Sequence, residues 1–118
     1  MELEGTWGRE YGWYSYYDLY IDNNGNITLF CSEYASYKHT YTYIGKIENN
    51  FEYPYTVKIT QTSFYRDRKL LTDSYYNEHT GTIKFDNASS CSVDFYAFYG
   101  ASGRWVNISG VNLNFIKQ

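Results

Sequence analysis

The chain has 118 residues and a mass of 14.0 kDa, so we expect one domain over residues 1–118, and a two-domain enzyme is excluded. Aromatic residues make up 22% of the chain, including 16 Tyr, and this content excludes intrinsic disorder. Thirteen acidic and ten basic residues give a formal charge of −3, so no nucleic-acid partner is expected.

The sequence also limits the membrane and compartment assignments. No apolar run approaches the roughly 20 residues that a helix needs to cross a bilayer, so no membrane span is expected. The first residues contain neither the basic nor the apolar stretch of a secretory signal, and a signal removed earlier would still fit a secreted or cell-envelope protein. Cys31 and Cys91 fit one disulfide or two buried thiols equally well.

Strand patterns begin in the first third of the chain. Tyr17, Leu19 and Ile21 alternate with polar residues, which predicts a strand with one buried face. Residues 22–26 contain Asp, three Asn and Gly, which favour a hairpin turn. Residues 27–31 are then expected to return as the partner strand.

The same period of two continues to the C-terminus. Residues 38–48 alternate through Tyr41 and Tyr43, and residues 53–62 give the clearest strand pattern of the chain. A bulge or break is predicted at Ser109–Gly110. The remaining predicted strands are 70–76, 82–85, 91–99, 105–108 and 111–115.

These patterns predict an all-β fold, because no window has apolar residues at helical spacing and β-branched and aromatic residues dominate. About eight or nine strands joined by short turns describe an antiparallel meander that protects its edges by closing. We therefore predict a single up-and-down barrel. The alternative, a two-sheet sandwich, needs longer crossover connections than the chain offers.

The N-terminal Gly5-x-Trp7, a following strand and the turn at residues 22–25 resemble the opening of short bacterial lipocalin-like (calycin-type) β-barrel domains. Residues 109–113 are similar to the ending of that family. The resemblance implies that Gly5 allows a tight entry into the first strand and that Trp7 closes the barrel floor. It also implies a basic residue set against the Trp near the end of the last strand, for which Arg104 and Lys117 are the candidates.

The resemblance further implies that a small apolar or amphipathic molecule binds inside the barrel. Inward-facing rings would supply affinity, and basic residues at the rim would orient the ligand. If the interior is instead filled by its own side chains, the barrel is solid and has no such ligand. The candidate ligand-binding residues are Tyr17, Tyr43, Tyr55, Tyr99, Trp105, Arg66 and Arg68.

Outward-facing tyrosines suggest an alternative function. Exposed Tyr side chains offer a large contact area at low entropic cost, as protein- and glycan-binding surfaces require. A solid barrel with such a surface would dock a protein, a glycan or a second copy of itself. The outward candidates include Tyr14, Tyr16, Tyr20, Tyr34 and Tyr96.

The sequence contains no recognisable catalytic, metal-binding or cofactor-binding motif. His39 and His79 lie outside any triad context, and each is expected to be an ordinary packed or solvated residue. An enzyme on this fold would need Glu10, Glu33 or Glu52 to point inward beside an Arg with a perturbed pKa. We therefore expect a non-enzymatic protein with no catalytic residue, no metal and no cofactor.

Overall fold

The structure is a computed structural model that describes residues 1–12, 14–35, 37–102 and 105–118, with side chains for 1–12, 14–34, 37–98 and 108–118. The described residues form β-strands and turns, and no helix among them could span a bilayer. The strands are β1 (Gly5–Gly12), β2 (Ser15–Ile21), β3 (Asn26–Ala35), β4 (Tyr37–Lys46), β5 (Tyr55–Arg66), β6 (Lys69–Leu70), β7 (Thr80–Phe85), β8 (Ser90–Ser102) and β9 (Trp105–Ile116).

The strands form one antiparallel sheet in the order β1-β2-β3-β4-β5-β7-β8-β9, with the short β6 paired to β5. Sequence neighbours therefore lie side by side, as in a meander. The sheet curls until the end of β9 approaches β1, where the backbone N–H of Gln118, just after β9, donates to the Thr6 carbonyl at 2.9 Å. The predicted all-β up-and-down barrel is confirmed, and its nearly closed form is compatible with a lipocalin-like fold.

The β2–β3 turn shows how local sequence sets the register. One carboxylate oxygen of Asp22 accepts the backbone N–H groups of Asn24 and Asn26, both at 2.9 Å. Gly25 has a φ of 81°, a left-handed conformation that glycine adopts without strain. This turn aligns Leu19 of β2 with Leu29 of β3, so that both side chains enter the core.

Trp7 lies at one end of the barrel and is 1% exposed. Its indole N–H donates to the Leu3 carbonyl at 3.0 Å, and its ring meets Phe85 edge to face at a centroid distance of 5.5 Å. Nearby, the Lys117 ammonium donates to the Glu2 carbonyl at 2.6 Å. Of the two basic residues named from the resemblance, the fold brings Lys117 to the same end as Trp7, and Arg104 lies outside the described residues.

The wall of the barrel opens between β7 and β8. Their ladder ends at the Thr82–Asp94 pair, while β8 continues for eight further residues to Ser102. Tyr43 seals this edge from inside: its hydroxyl donates to the Tyr96 carbonyl at 3.0 Å and lies 3.3 Å from the Tyr96 N–H as an acceptor. A side chain thus replaces the missing strand partner of β8.

Two local predictions differ from the structure. The strand predicted at 70–76 ends at Leu70, because the Asp73 side chain accepts the Tyr75 N–H at 2.8 Å and stabilises a turn instead. No break occurs at Ser109–Gly110, since β9 runs through both residues. The irregularity of the β8–β9 ladder lies instead between Tyr99 and Ala101.

Candidate functional site

The barrel interior changes from apolar to polar along its axis. At the end near Trp7 the inward residues are aliphatic or aromatic, whereas at the opposite end the register aligns Glu33, His39 and Arg66 on three neighbouring strands. On β3 and β4 these polar groups continue the phase of the buried apolar residues, whereas on β5 a register shift between the partners Gln61 and Ser63 brings Phe64 and Arg66 to the inner face. We call this region the polar end; it comprises Tyr17, Glu33, His39, Tyr41, Gln61, Arg66 and Tyr76.

Glu33 is 1% exposed and is fully engaged within the polar end. One carboxylate oxygen accepts the Tyr17 hydroxyl at 2.6 Å, and the other accepts the Phe98 backbone N–H at 3.0 Å. Burial raises the pKa of Glu33 to about 7, although these hydrogen bonds favour the ionised form. The carboxyl therefore changes its charge near neutral pH.

His39 is fully buried beside Arg66. The Nε of Arg66 lies 3.2 Å from the Nε2 of His39. Because a guanidinium only donates, this His39 nitrogen must be the acceptor, and the proton of the neutral ring resides on Nδ1. Burial, with the Arg66 charge as a second cause, lowers the pKa of His39 to about 4, so the ring is neutral at physiological pH.

A connecting segment covers the polar end. Residues 71–79 link β6 to β7, and Tyr76 from this segment stacks on Phe64 at a centroid distance of 4.8 Å. Arg66 donates to the Tyr76 hydroxyl at 3.1 Å, while the Gln61 amide donates to its carbonyl at 2.5 Å. A ring with a polar group thus occupies the end of the barrel without belonging to any strand.

Among the residues with described side chains, three buried atoms of the polar end have no partner within hydrogen-bond geometry: His39 Nδ1, the Tyr41 hydroxyl, which lies near Glu33, and Gln61 Oε1. His39 and Tyr41 are 0% exposed and Gln61 is 3% exposed. Each such atom costs about 1–3 kcal/mol relative to a partnered one. Two of the groups can donate and one can accept, a combination that a bound polar group or water could satisfy.

The structure distributes the residues proposed from sequence among several regions. Tyr17 and Arg66 belong to the polar end, and Tyr43 lies buried one row below Tyr41. Tyr55 is half-buried near the opposite end, where its ring stacks on Phe51 at 4.5 Å. The side chains of Tyr99 and Trp105 lie outside the described residues.

Arg68 does not share the environment of Arg66. It is exposed, has a φ of 72° and lines a shallow outer groove of about 490 Å³ together with Lys38 and Tyr65. Arg66, two residues earlier, instead turns inward to His39. The two arginines therefore do not form one binding site at the rim.

Several residues of the polar end were not among the sequence-predicted site residues, although the alternation contained the signal. Glu33 has the same phase as Leu29 and Cys31, and Gln61 follows Ile59 by two residues. His39 likewise lies two residues before the buried Tyr41 on β4. A polar residue that continues a buried phase is thus the sequence signal for this site.

The remaining candidate groups have structural surroundings. Cys31 and Cys91 are both buried free thiols. Among the residues with described side chains, no three His, Cys, Asp or Glu come together as a metal site requires. Glu10 is half-exposed and Glu52 exposed, so Glu33 is the one of the three proposed acids that is buried. Arg66 bonds to His39 and not to Glu33.

Comparison of the chain with protein-family models, curated proteins and solved structures finds no match.

Proposed function

We propose that the protein is a non-enzymatic binding protein of the lipocalin-like class that takes a small amphipathic molecule at the polar end of its barrel. The observation that carries this proposal is the set of three buried atoms on His39, Tyr41 and Gln61 that have no hydrogen-bond partner among the described residues. Buried groups without hydrogen-bond partners lower the stability of the free protein. A ligand that forms hydrogen bonds with these groups would offset this loss when it binds.

Membership of the lipocalin-like family, with its short bacterial domains, is part of this proposal. Its support is the nearly closed meander barrel, the Gly5-x-Trp7 opening and the approach of Lys117 to the N-terminal segment. In that family the barrel end opposite the Trp is the one that receives the ligand. The polar end occupies that position here.

Tyr76 indicates the kind of ligand. Its ring lies against Phe64 and Phe98, at centroid distances of 4.8 and 6.0 Å, and its hydroxyl bonds to Arg66. A ligand that displaces this side chain would need a flat apolar ring and a polar group near Arg66. Segment 71–79 would move aside to admit it, because this segment holds Tyr76 over the end.

The test compares two Tyr→Phe variants. Tyr41→Phe deletes a buried hydroxyl that has no partner within hydrogen-bond geometry among the described residues, so we expect no loss of stability in the free protein and weaker binding of the ligand. Tyr43→Phe is the matched control: its hydroxyl is bonded to the Tyr96 backbone, so its loss should destabilise the fold. Weaker binding by Tyr41→Phe without a loss of stability is the signature of a group kept for a ligand.

The probes are a mixture of aromatic carboxylic acids, phenols and indoles, detected by ligand-observed NMR, together with native mass spectrometry of the purified protein. The proposal predicts a bound probe or a co-purifying small molecule, with weaker binding in Tyr41→Phe than in wild type. If the wild type binds no probe and releases no small molecule on unfolding, the unpartnered atoms are met by water alone and the proposal fails.

A further inference from the structure

A second site lies on the outside of the barrel, where β7 and β8 separate. Four strands there contribute one cross-strand row through the pairs Lys58–Thr82, Thr82–Asp94 and Asp94–Asn112. A groove of about 570 Å³ follows this row and continues between Thr80 and Tyr96. Its volume is within the range of sites for small ligands, roughly 300–1,000 Å³.

Two glycines shape this groove. A Cβ on Gly81 would lie 2.2 Å from the Asp94 carbonyl oxygen, so only glycine allows β7 and β8 to approach at the head of the groove. Gly110 lies on β9 opposite Tyr96 of β8, and a Cβ there would have no atom of the described residues within 4 Å. The missing side chain at Gly110 leaves one flank of the Tyr96 position open.

The groove presents a ring beside a set of donors and acceptors. Tyr96 is 46% exposed, and the His79 ring packs beside it at a centroid distance of 5.7 Å. The Asp94 carboxylate accepts the Asn112 amide at 2.7 Å, which fixes both side chains. Lys58 makes no ion pair with the side chains that the structure describes, so its ammonium is available to a ligand.

We propose that this groove binds a neutral polyhydroxylated ligand, such as a segment of an oligosaccharide. One cation and one anion give the lining no net charge, which disfavours phosphate-bearing or strongly acidic ligands. Hydroxyl groups both donate and accept, as the lining of Lys58, Asp94, Asn112 and two threonines requires. The apolar face of a sugar ring matches the exposed Tyr96 ring.

This site lies on a different face of the barrel from the polar end. The groove uses the outer face of β5, β7, β8 and β9, and the Tyr96 group that bonds to Tyr43 is the backbone, not the ring. Changes to the Tyr96 side chain or to Gly110 therefore leave the bonds between Tyr43 and the Tyr96 backbone in place, although Tyr96→Ala also removes the contact with the His79 ring. Failure of one proposal does not decide the other.

The experiment titrates ¹⁵N-labelled protein with neutral hexasaccharides of glucose, xylose and N-acetylglucosamine and follows backbone amide shifts. We expect at least one sugar to shift the amides of Gly81, Gly110 and Asn112. Gly110→Val places a side chain into the open flank and should weaken that binding roughly tenfold or more, equivalent to about 1.4 kcal/mol. Tyr96→Ala removes the ring and should do the same.

Tyr20→Ala is the matched control, because Tyr20 is an outward tyrosine of β2, 50% exposed and remote from the groove. The Tyr20→Ala variant should bind the sugar with the same affinity as the wild type. The proposal is overturned if no sugar shifts the groove amides at millimolar concentration, if Gly110→Val binds as well as wild type, or if the shifts map to another surface. A protein partner that binds through this groove while all the sugars fail would also overturn it.

Discussion

The carboxylate of Glu33 on β3 accepts the backbone N–H of Phe98 on β8 at 3.0 Å, which joins two strands that are not neighbours in the sheet. Beyond Asp94, β8 has no ladder to β7, so its backbone groups need other partners. Glu33 satisfies one of them, and Tyr43 satisfies those of Tyr96. Inward side chains thus complete the wall at the polar end.

Glu33→Gln tests this link through its pH dependence. The pKa of Glu33 is raised from 4.5 to about 7, so the native state binds more protons than the unfolded state between those pH values. The free energy of unfolding of wild type, relative to Glu33→Gln, should therefore fall as the pH rises through this window, by roughly 3 kcal/mol in total. Urea denaturation at several pH values measures it.

The comparison with Glu33→Gln is needed because the titration of His39 changes the free energy of unfolding in the opposite direction. Its lowered pKa adds stability as the pH rises from about 4 to 6.5, and this contribution is present in both proteins. The difference between them therefore isolates Glu33. A difference that is constant from pH 4 to pH 8 would show that Glu33 does not titrate with a raised pKa.

Trp7→Ala should destabilise the protein by about 3–5 kcal/mol, because it removes a fully buried ring and leaves a cavity against Phe85. Trp7→Phe is the control: it keeps a ring but loses the hydrogen bond to Leu3, and should cost less. Guanidinium denaturation gives both values. A Trp7→Ala midpoint near that of wild type would remove the role of Trp7 in closing the floor.

Gly81→Ala and Gly110→Ala should change the stability of the protein in opposite directions. The new methyl at position 81 meets the Asp94 carbonyl oxygen, so the β7–β8 pair must shift at a cost of about 1–3 kcal/mol. At position 110 the methyl meets nothing, and the variant should gain about 0.4–1 kcal/mol from a less flexible unfolded chain. Thermal unfolding measures both effects, and equal shifts in melting temperature would contradict the close approach of β7 and β8 at Gly81.

Cys31 and Cys91 should resist thiol reagents in the native protein. Burial is the main cause that raises the pKa of Cys31 well above its usual value and that of Cys91 to about 12, so the reactive thiolate is scarce. Ellman's reagent should therefore react only slowly with the native protein in buffer. In denaturant it should react rapidly with both thiols of each chain. Rapid labelling of the native protein would show that one of these strands opens readily.

Most of the fold could be predicted from sequence because the strands alternate with a period of two and join their neighbours through short turns. Asp22 and Gly25 determine one such turn by local chemistry alone. The segment that follows β6 could not be predicted, since an apolar stretch there competes with the turn that Asp73 stabilises. Local turn chemistry prevailed over strand propensity in this segment.

The candidate site was less predictable for a different reason. Alternation places Glu33 and Gln61 inside, but it does not show which distant groups they meet. The partner of Glu33 depends on where β7 begins, because the Phe98 N–H lacks a neighbour on β7 only if β7 does not extend back far enough to pair with it. Tyr76 reaches the site from a connection, where no periodicity applies.

The two bonds that complete the wall also have a consequence for the order of folding. Nearly all ladders join adjacent hairpin strands, whereas Glu33–Phe98 and Tyr43–Tyr96 span 65 and 53 residues. Closing a longer loop costs more chain entropy, so the hairpins should form first and these links last. The polar end would then mature only after the rest of the barrel is built, and Glu33→Gln should speed unfolding while leaving the refolding rate almost unchanged.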